Sequence, residues 1–379
     1  MTAAIRLSAS LHSNALLTID LDAIGANYRL LKDKAGFATC AGVVKADAYG
    51  LGIEAVAKRL WDEECRLFFV ATVDEGIALR AALGEQAKIA VLSGFLRGAE
   101  VEFISRGLIP VLNDQEDLRY WRSAARASER TLPAMLQFDT GMSRLGMPPA
   151  QVDAVANDEE ALKGLDVLYI MSHLASADEH GDPQSEEQRA RFDEGYDQLS
   201  RYVERPRGSL ANSAGVFLGK DYLYDMVRPG IALYGGNPTP HTDNPMQPVV
   251  KLSARILQIR EIPEGASVGY GASWTADRPS RIATLGIGYA DGFLRTGSNR
   301  AHVAFGELKA PLAGRISMDL TGVDVTDIPE QACRPGDYVE IIGPNMPLDT
   351  AATEHMTISY EMLTSLGNRY RRVYETANG

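Results

Sequence analysis

The sequence predicts an α/β fold in which a (β/α)8 TIM-type barrel is followed by a C-terminal all-β domain. Three observations support this prediction. Eight short apolar runs alternate with amphipathic helical patterns between residues 38 and 235, and these runs show no clean alternation of polar and apolar residues. After residue 246, apolar residues recur at every second position instead. Buried parallel strands have the first pattern, and half-exposed antiparallel strands have the second.

Each of the eight apolar runs has the length of a barrel strand and is rich in Val, Ile, Leu and Phe. The runs span residues 38–46, 67–73, 88–94, 107–113, 134–140, 165–173, 208–213 and 226–235. Successive β-then-α units of this kind are typical of a (β/α)8 barrel. A doubly wound sheet is the alternative, but such a sheet usually carries a glycine fingerprint after its first strand. The motif GIGYADG (286–292) has a different glycine spacing and lies far from that strand.

Turn-forming residues in NPTPHTDNP (237–245) mark the boundary between the two predicted domains. Beyond this linker, Val250, Leu252, Ala254 and Ile256 alternate with polar residues, which indicates a strand with one buried face. We therefore assign residues 1–15 to an N-terminal segment that packs with the second domain, residues 16–242 to the barrel, and residues 246–379 to the all-β domain.

Composition and charge restrict the possible partners. The chain has 379 residues, of which 45% are hydrophobic and 23% are charged, and its net charge is −12 at pH 7. This charge argues against nucleic acid and anionic membrane surfaces as partners, and no apolar run approaches the length of a membrane span. Cys40, Cys65 and Cys333 are odd in number and widely spaced, which is typical of reduced thiols in a cytoplasmic protein.

Metal binding is not expected from this sequence. The six histidines are scattered along the chain, and His180 is the only one within a cluster of acidic residues, at positions 178–182. That cluster also contains a glycine and has the composition of a solvated loop.

Lys45 stands at the end of the first predicted barrel strand, in VVKADAYGLG (43–52). A lysine at the mouth of a buried strand is costly to desolvate, so its pKa should fall and its amine should become nucleophilic. Such an amine can form a Schiff base with an aldehyde cofactor. For a single lysine, a solvated position at the strand end is the alternative interpretation, and the remaining strand ends decide between the two.

Functional residues of a (β/α)8 barrel lie at the carboxyl ends of its strands. The candidates found there are Lys45, Tyr49, Asp139, Arg144, His173, Asn212, Ser213, Arg228 and Gly230. Hydroxyl groups and backbone amides of Tyr49, Ser213, Gly230 and Ile231 would suit a phosphate group. Ordinary capping and turn roles for Ser213 and Gly230, and a core position for His173, are the alternatives when each residue is considered alone.

Nine motifs occur in order over nearly the whole chain. They are VVKADAYGLG, FDTGMSRLGM, SHLASADE, ANSAG, VRPGIALYG, VGYGASW, GIGYADGF, GRISMDLTGVDVT and TISY. Together they closely resemble the bacterial alanine racemase family, whose members are pyridoxal-phosphate enzymes with a (β/α)8 barrel and a C-terminal β domain. The resemblance implies interconversion of L-alanine and D-alanine, which supplies D-alanine for peptidoglycan.

The resemblance assigns the two bases that such a reaction needs on opposite faces of the cofactor. Lys45 would bind pyridoxal 5'-phosphate covalently and, once released, would be the base on one face. Tyr270, in VGYGASW, would be the base on the other face and would come from the second subunit of a homodimer with shared active sites. Arg228 would hydrogen-bond the pyridine nitrogen, and His173 would orient Arg228. A guanidinium keeps its own protons, so that nitrogen would stay unprotonated, which favours racemisation over transamination.

The resemblance also implies the remaining contacts of the site. Arg144 would contact the phenolic oxygen of the cofactor and, with the Met318 amide, the substrate carboxylate. Phosphate ligands would be Tyr49, Ser213, Gly230, Ile231 and Tyr360, with Asn212 beside them. Tyr289, Met318 and Asp319 would form a narrow entrance, the last two supplied by the neighbouring subunit. Because a missing methylene costs little binding energy, larger substrates must be excluded sterically.

Three positions depart from the family pattern. Asp47 stands where asparagine is common and would place an extra negative charge near the cofactor end of the barrel. Gln137 stands where some members carry a lysine that is modified to a carbamate, so we predict no carbamate here. Ser317 replaces a frequent cysteine. The alternatives considered are a broader-specificity racemase or a decarboxylase on the same barrel, and a non-catalytic pyridoxal-phosphate carrier, for which a second-face base such as Tyr270 would have no use.

Overall fold

Parallel strands alternate with helices around a barrel in the computed structural model, which describes residues 13–376. The barrel strands are Thr39–Cys40, Gly42–Val43, Leu67–Val70, Lys88–Val91, Leu108–Leu112, Leu132–Gln137, Leu165–Met171, Gly208–Ser209 and Met226–Val227. The barrel helices are Leu21–Ala35, Ile53–Asp62, Val73–Leu83, Glu100–Arg106, Gln115–Ala127, Pro149–Ala156 and Gln184–Leu199.

The strands close into a barrel in sequence order. Those from Gly42–Val43 to Gly208–Ser209 form one parallel sheet, and Met226–Val227 pairs in parallel with Thr39–Cys40. The Arg228 amide donates to the Ala211 carbonyl over 2.9 Å, which joins the last two strands. The predicted (β/α)8 barrel is therefore confirmed, with its first strand divided into two pieces.

The last two barrel strands are shorter than the runs 208–213 and 226–235 predict. Each has only two residues, Gly208–Ser209 and Met226–Val227. The Asn212 side chain accepts a hydrogen bond from the Gly215 amide, which begins a turn. Pro229 cannot donate a ladder hydrogen bond. The chain therefore leaves the barrel early at both places and forms the loops that border the site.

Helix Leu21–Ala35 illustrates how the sequence specifies the outer layer. Asp20 caps it by accepting a hydrogen bond from the Ala23 amide over 2.9 Å, as an N-cap aspartate should. Ile24, Tyr28 and Leu31 recur at helical spacing and are buried. This stripe packs the helix against the barrel.

The second domain is built on one long strand, Val250–Ile262, in which Leu252, Ala254 and Ile256 are buried. This strand pairs antiparallel with Ala15–Asp20, Ser280–Leu285 and Tyr338–Ile342. The other strands are Ser267–Val268, Trp274–Thr275, His302–Phe305, Leu308–Pro311, Thr321–Asp324 and Arg371–Glu375. Two short helices, Leu348–Glu354 and Ser359–Thr364, precede the last strand, Arg371–Glu375, so the prediction of an all-β domain missed these helices.

The domain boundary differs from the prediction at its start. Strand Ala15–Asp20 belongs to the sheet of the second domain, where it also pairs in parallel with Arg371–Glu375. The barrel thus begins at Leu21 rather than at residue 16, because the residues before Leu21 make their ladder hydrogen bonds with strands of the second domain. The carbonyls of Ser13 and Asn14 also accept hydrogen bonds from the second domain. The rest of the predicted N-terminal segment, residues 1–12, lies outside the described residues.

Among residues 13–376, no helix has the length and apolar composition needed to cross a membrane.

Candidate active site

One cavity of about 540 Å³ lies at the carboxyl ends of the barrel strands. All ten residues expected to bind the cofactor line it: Lys45, Tyr49, Arg144, His173, Asn212, Ser213, Arg228, Gly230, Ile231 and Tyr360. Apolar side chains such as Phe69 and Leu92 complete the wall. The fold thus gathers residues that are up to 315 positions apart in sequence (45 to 360).

Lys45 is presented by an unusual backbone turn. The next four residues, Ala46 to Tyr49, have φ between 53° and 56°, which is the left-handed region. Each non-glycine residue there costs roughly 1–2 kcal/mol. Hydrogen bonds from the Ala48 amide to the Val44 carbonyl and from the Gly52 amide to the Asp47 carbonyl, both 2.9 Å, close the turn. Such local strain is often found where a functional side chain must be held in place.

Asp47 directs its charge away from the cavity. Its carboxylate accepts a hydrogen bond from the Ile53 amide over 2.7 Å, at the start of helix Ile53–Asp62. An anion at a helix N-terminus is stabilised by the helix dipole. The expected extra charge at the cofactor end therefore acts on this helix instead, and an asparagine could make the same hydrogen bond.

Electrostatics at the cavity lower the pKa of one lysine and of one histidine. Burial lowers the pKa of Lys45, and the Arg144 guanidinium lowers it further, while Glu75 opposes them. The expected lowering of this pKa is therefore confirmed. Burial also lowers the pKa of His173 to about 3, with contributions from Arg228, Arg144 and Lys45. His173 is thus uncharged at neutral pH.

Arg228 is buried, and its guanidinium is held by hydrogen-bond acceptors at two strand ends. It donates to the Ser209 hydroxyl and to the carbonyls of Ser172 and Leu210. Burial lowers the pKa of Arg228 to about 9, which still leaves it protonated at neutral pH. Ser209 and the two carbonyls therefore hold Arg228 in place, and the orienting role expected of His173 stays a prediction.

Replacing Ser209 by alanine should destabilise the protein by about 1–3 kcal/mol, because the buried Arg228 guanidinium would lose one of its three acceptors. Ser209 is fully buried, and its hydroxyl also donates to the Met226 carbonyl over 2.7 Å. Urea unfolding measures the change. Ser123→Ala is the control, since the Ser123 hydroxyl makes only a local helix contact with the Arg119 carbonyl in an exposed position. Equal midpoints for the two variants would contradict the role assigned to Ser209.

Gln188 is a second supporting residue that the sequence did not reveal. It is fully buried on helix Gln184–Leu199. Its side-chain amide donates to the His173 carbonyl over 2.9 Å and accepts from the Ala175 amide over 2.8 Å. It also donates to the Thr140 hydroxyl over 3.1 Å. The loop that carries His173 is therefore fastened to a barrel helix. A glutamine among the charged residues of this helix gives no local sign of burial.

Three hydroxyl groups meet at the far end of the cavity. Ser213 accepts hydrogen bonds from the amides of Gly230 (2.8 Å) and Ala232 (3.3 Å), so its own proton is available for an anion. Burial raises the pKa of Tyr360 to about 12 and also raises that of Tyr49, so both phenols remain hydrogen-bond donors. A Cβ on Gly230 would lie 2.2 Å from the Tyr49 hydroxyl. Only glycine fits there, which leaves room for a phosphate-sized group.

Four predicted site residues do not line this cavity: Tyr270, Tyr289, Met318 and Asp319. They lie on the second domain, where Tyr270 is 72% exposed and Met318 is 54% exposed. The loops of Tyr289 and Met318 are joined because the amides of Tyr289 and Ala290 donate to the carbonyls of Ser317 and Met318, each over 3.0 Å. Asp319 pairs with Arg369 over 2.7 Å. A single chain therefore presents these residues outward.

Gln137 lines the cavity together with Arg144, at the end of strand Leu132–Gln137. It is buried, so the wall beside Arg144 carries a neutral amide. Ser317 uses its hydroxyl to close its own loop by donating to the Leu320 carbonyl over 2.8 Å. Within residues 13–376, no three His, Cys, Asp or Glu side chains are placed so that they could hold a metal ion.

Comparison with known proteins gives matches over almost the whole chain. Residues 19–238 match the family model described as alanine racemase, N-terminal domain, and residues 249–374 match alanine racemase, C-terminal domain. The catabolic alanine racemase of Mesorhizobium japonicum is 49% identical over 362 residues, which cover 96% of this chain and 93% of that protein. The alanine racemase of Rhodospirillum rubrum is 47% identical over 365 residues, which cover 96% of each.

Solved structures show the same likeness in three dimensions. Alanine racemase from Bartonella henselae, with covalently bound pyridoxal phosphate, superposes with a TM-score of 0.92 at 41% identity, covering 96% of this chain and all of that one. Biosynthetic alanine racemase from Pseudomonas aeruginosa superposes with a TM-score of 0.88 at 36% identity, covering 96% of this chain and 100% of that one.

Proposed function

This chain belongs to the alanine racemase family, and on that premise we propose that it interconverts L-alanine and D-alanine with pyridoxal 5'-phosphate as cofactor. One observation carries the proposal: a lysine with a lowered pKa, a buried arginine and three converging hydroxyl groups surround a single cavity. Family membership does not favour the alternatives, which were a broader-specificity racemase, a decarboxylase and a non-catalytic carrier.

The residues of the cavity fit pyridoxal 5'-phosphate. The Lys45 amine, whose pKa is lowered by burial and by Arg144, is suited to join an aldehyde. Ser213, Tyr49 and Tyr360 offer hydroxyl donors for the phosphate. Arg228 is held by acceptors of its own and would donate to the pyridine nitrogen without releasing a proton. When bound, the cofactor withdraws electrons from the amino acid and so makes its α-hydrogen acidic.

We further propose that the enzyme is a homodimer in which each cavity is completed by the partner chain. Inversion requires a base on each face of the substrate carbon. Of the two expected bases, Lys45 and Tyr270, only Lys45 lines the cavity of its own chain. Tyr270, which the family resemblance assigns to the second face, is exposed on the second domain. Exposed Tyr289 and Met318 lie on the same domain. A partner that presents this surface would supply the missing phenol.

Selectivity for alanine is proposed to follow from the same dimer. Arg144, with the amide of the partner's Met318, would hold the substrate carboxylate by charge and hydrogen bonding. Tyr289, Met318 and Asp319 would narrow the entrance, so that side chains larger than methyl are excluded by volume.

The cellular role is proposed to be supply of D-alanine for peptidoglycan in the cytoplasm. Three buried, unpaired cysteines, Cys40, Cys65 and Cys333, support a reducing compartment. Growth of a deletion strain with and without added D-alanine tests the role, since a strain that grows equally well in both media contradicts it.

Turnover in deuterated water is the direct test of the activity. L-alanine should become racemic with deuterium at the α-carbon, because the returning proton comes from a base that exchanges with solvent. L-serine and L-lysine should be turned over far more slowly, and no carbon dioxide should form. Chirality and isotope content of the recovered amino acids are the measurements. Release of carbon dioxide, or faster reaction of lysine than alanine, would contradict the proposed function.

A further inference from the structure

We propose that Glu75 is a positioning residue for Lys45, because its carboxylate ties the turn that follows the lysine to the end of the second barrel strand. The inference rests on the proposed function for the role of Lys45. Glu75 lies in the first turn of helix Val73–Leu83. It does not line the cavity, so it would act through the backbone and through its charge.

Both oxygens of the Glu75 carboxylate are engaged, and they face different strand ends. Oε1 accepts a hydrogen bond from the Ala46 amide over 2.7 Å. Oε2 accepts from the Ala71 amide over 2.7 Å and from the Thr72 amide over 3.3 Å. Ala46 and Ala71 both line the cavity. One side chain thus joins two walls of the site, directly beside Lys45.

The amide that Glu75 holds begins the left-handed turn. Ala46 is the first of the four residues with positive φ, and it is bonded directly to Lys45. Without an acceptor for its amide, this turn would lose one of the contacts that keep it in a conformation that L-residues avoid. Relaxation of Ala46 would move the Lys45 side chain, whose amine has to reach the aldehyde carbon of the cofactor.

A carboxylate is needed here because the contacts require two acceptor oxygens. Glutamine has one acceptor oxygen and one NH2 group, whereas the two ends of the Glu75 carboxylate both face backbone N–H donors. Glutamine would therefore set a donor against a donor at either Ala46 or Ala71. Aspartate keeps the charge and both acceptors, but it is one methylene shorter and cannot span the same gap.

Charge gives the proposal a second signature. The charged or titratable groups that face Lys45 are Arg144, His173 and Glu75. His173 is neutral, Arg144 lowers the pKa of Lys45, and Glu75 raises it. Loss of the Glu75 charge should therefore lower the pKa of Lys45 further, whereas a purely structural contact would leave it unchanged.

Three variants of the holoenzyme separate these effects: Glu75→Gln, Glu75→Asp and Thr72→Ala. Thr72→Ala is the matched control, since the Thr72 hydroxyl caps the same helix by accepting from the Glu75 amide over 3.3 Å but does not contact Ala46. The first readout is the dependence of kcat on pH in the direction in which Lys45 removes the proton. The second is cofactor retention, followed by the visible absorption of bound pyridoxal 5'-phosphate after dilution.

For Glu75→Gln, we expect kcat to fall about tenfold or more, as small misplacements of reacting groups do, and the cofactor to dissociate faster. The acidic limb of its kcat–pH profile should move to lower pH, because loss of the Glu75 charge lowers the pKa of Lys45 further. Glu75→Asp should lower kcat with the acidic limb in place. Thr72→Ala should keep the wild-type kcat, pH profile and cofactor retention.

Wild-type kcat and cofactor retention in Glu75→Gln, or the same losses in Thr72→Ala, would overturn the role of Glu75. The cofactor readout does not depend on alanine turnover, so it still tests Glu75 if the wild-type enzyme fails to racemise alanine. Failure of the wild-type enzyme to racemise alanine would overturn the proposed function but not the role of Glu75.

Discussion

Replacing Lys45 by alanine is expected to abolish both the visible absorption of bound cofactor and the racemase activity. Lys45 is the only lysine that lines the cavity within the described residues, so no other amine can join the cofactor aldehyde there. The lost base alone should lower kcat by about a thousandfold or more. Amines added to the Lys45→Ala protein should restore little activity, because buried side chains surround the site.

Absorption spectra and alanine turnover of Lys45→Ala test this expectation. Reduction of the wild-type enzyme with borohydride should attach the cofactor to the peptide that contains Lys45, and mass spectrometry identifies that peptide. Lys58→Ala is the control, because Lys58 lies on the surface and pairs with Glu54 over 2.6 Å. If the Lys45→Ala protein kept the visible band, or if another lysine carried the label, the assignment of Lys45 would be wrong.

Replacing Tyr270 by alanine is expected to leave cofactor binding intact while proton exchange is lost in one direction much more than in the other. The phenol lies outside the cavity of its own chain, and it would act only on the face opposite Lys45. Deuterium incorporation from L-alanine and from D-alanine, measured separately, gives the asymmetry. Tyr202→Ala, also exposed but on the barrel, should behave as the wild type. Equal losses in both directions would contradict a one-face role.

Mixing the two inactive variants tests the sharing of sites between chains. A dimer of one Lys45→Ala chain and one Tyr270→Ala chain contains one cavity with both bases and one with neither. Activity should therefore return after subunit exchange, to about a quarter of the wild-type value in an equal random mixture, because half the dimers are mixed and each has one intact site. Verified exchange without any recovery would rule out donation of Tyr270 by the partner.

The sequence predicted the barrel and its site well because both depend on local patterns. Each strand is an apolar run, and site residues follow those runs directly, as Lys45 and His173 do. Strand Ala15–Asp20 was misassigned because nothing local distinguishes pairing with Val250–Ile262 from pairing inside the barrel. That choice depends on residues more than 230 positions away, since even the nearest pair joins Ile19 to Val250.

The supporting residues were missed for a related reason. Ser209 and Gln188 act by contacting atoms of other elements, and a buried serine or glutamine looks locally like a surface one. Glu75 did carry a signal, since Thr72 and Glu75 have the spacing of a capping box, but that motif accounts for only one of its two oxygens. Tyr270 was assigned by family resemblance alone, because its role needs a second chain.

The pairing of Ala15–Asp20 with Val250–Ile262 and Arg371–Glu375 also bears on how the polypeptide is made. This segment is translated before the barrel, yet both of its neighbours are translated only after the entire barrel. In a newly made barrel, the segment ahead of the first helix therefore has no partner strand and is open to pairing with other chains. Synthesis of the second domain, rather than completion of the barrel, is the event that buries this edge.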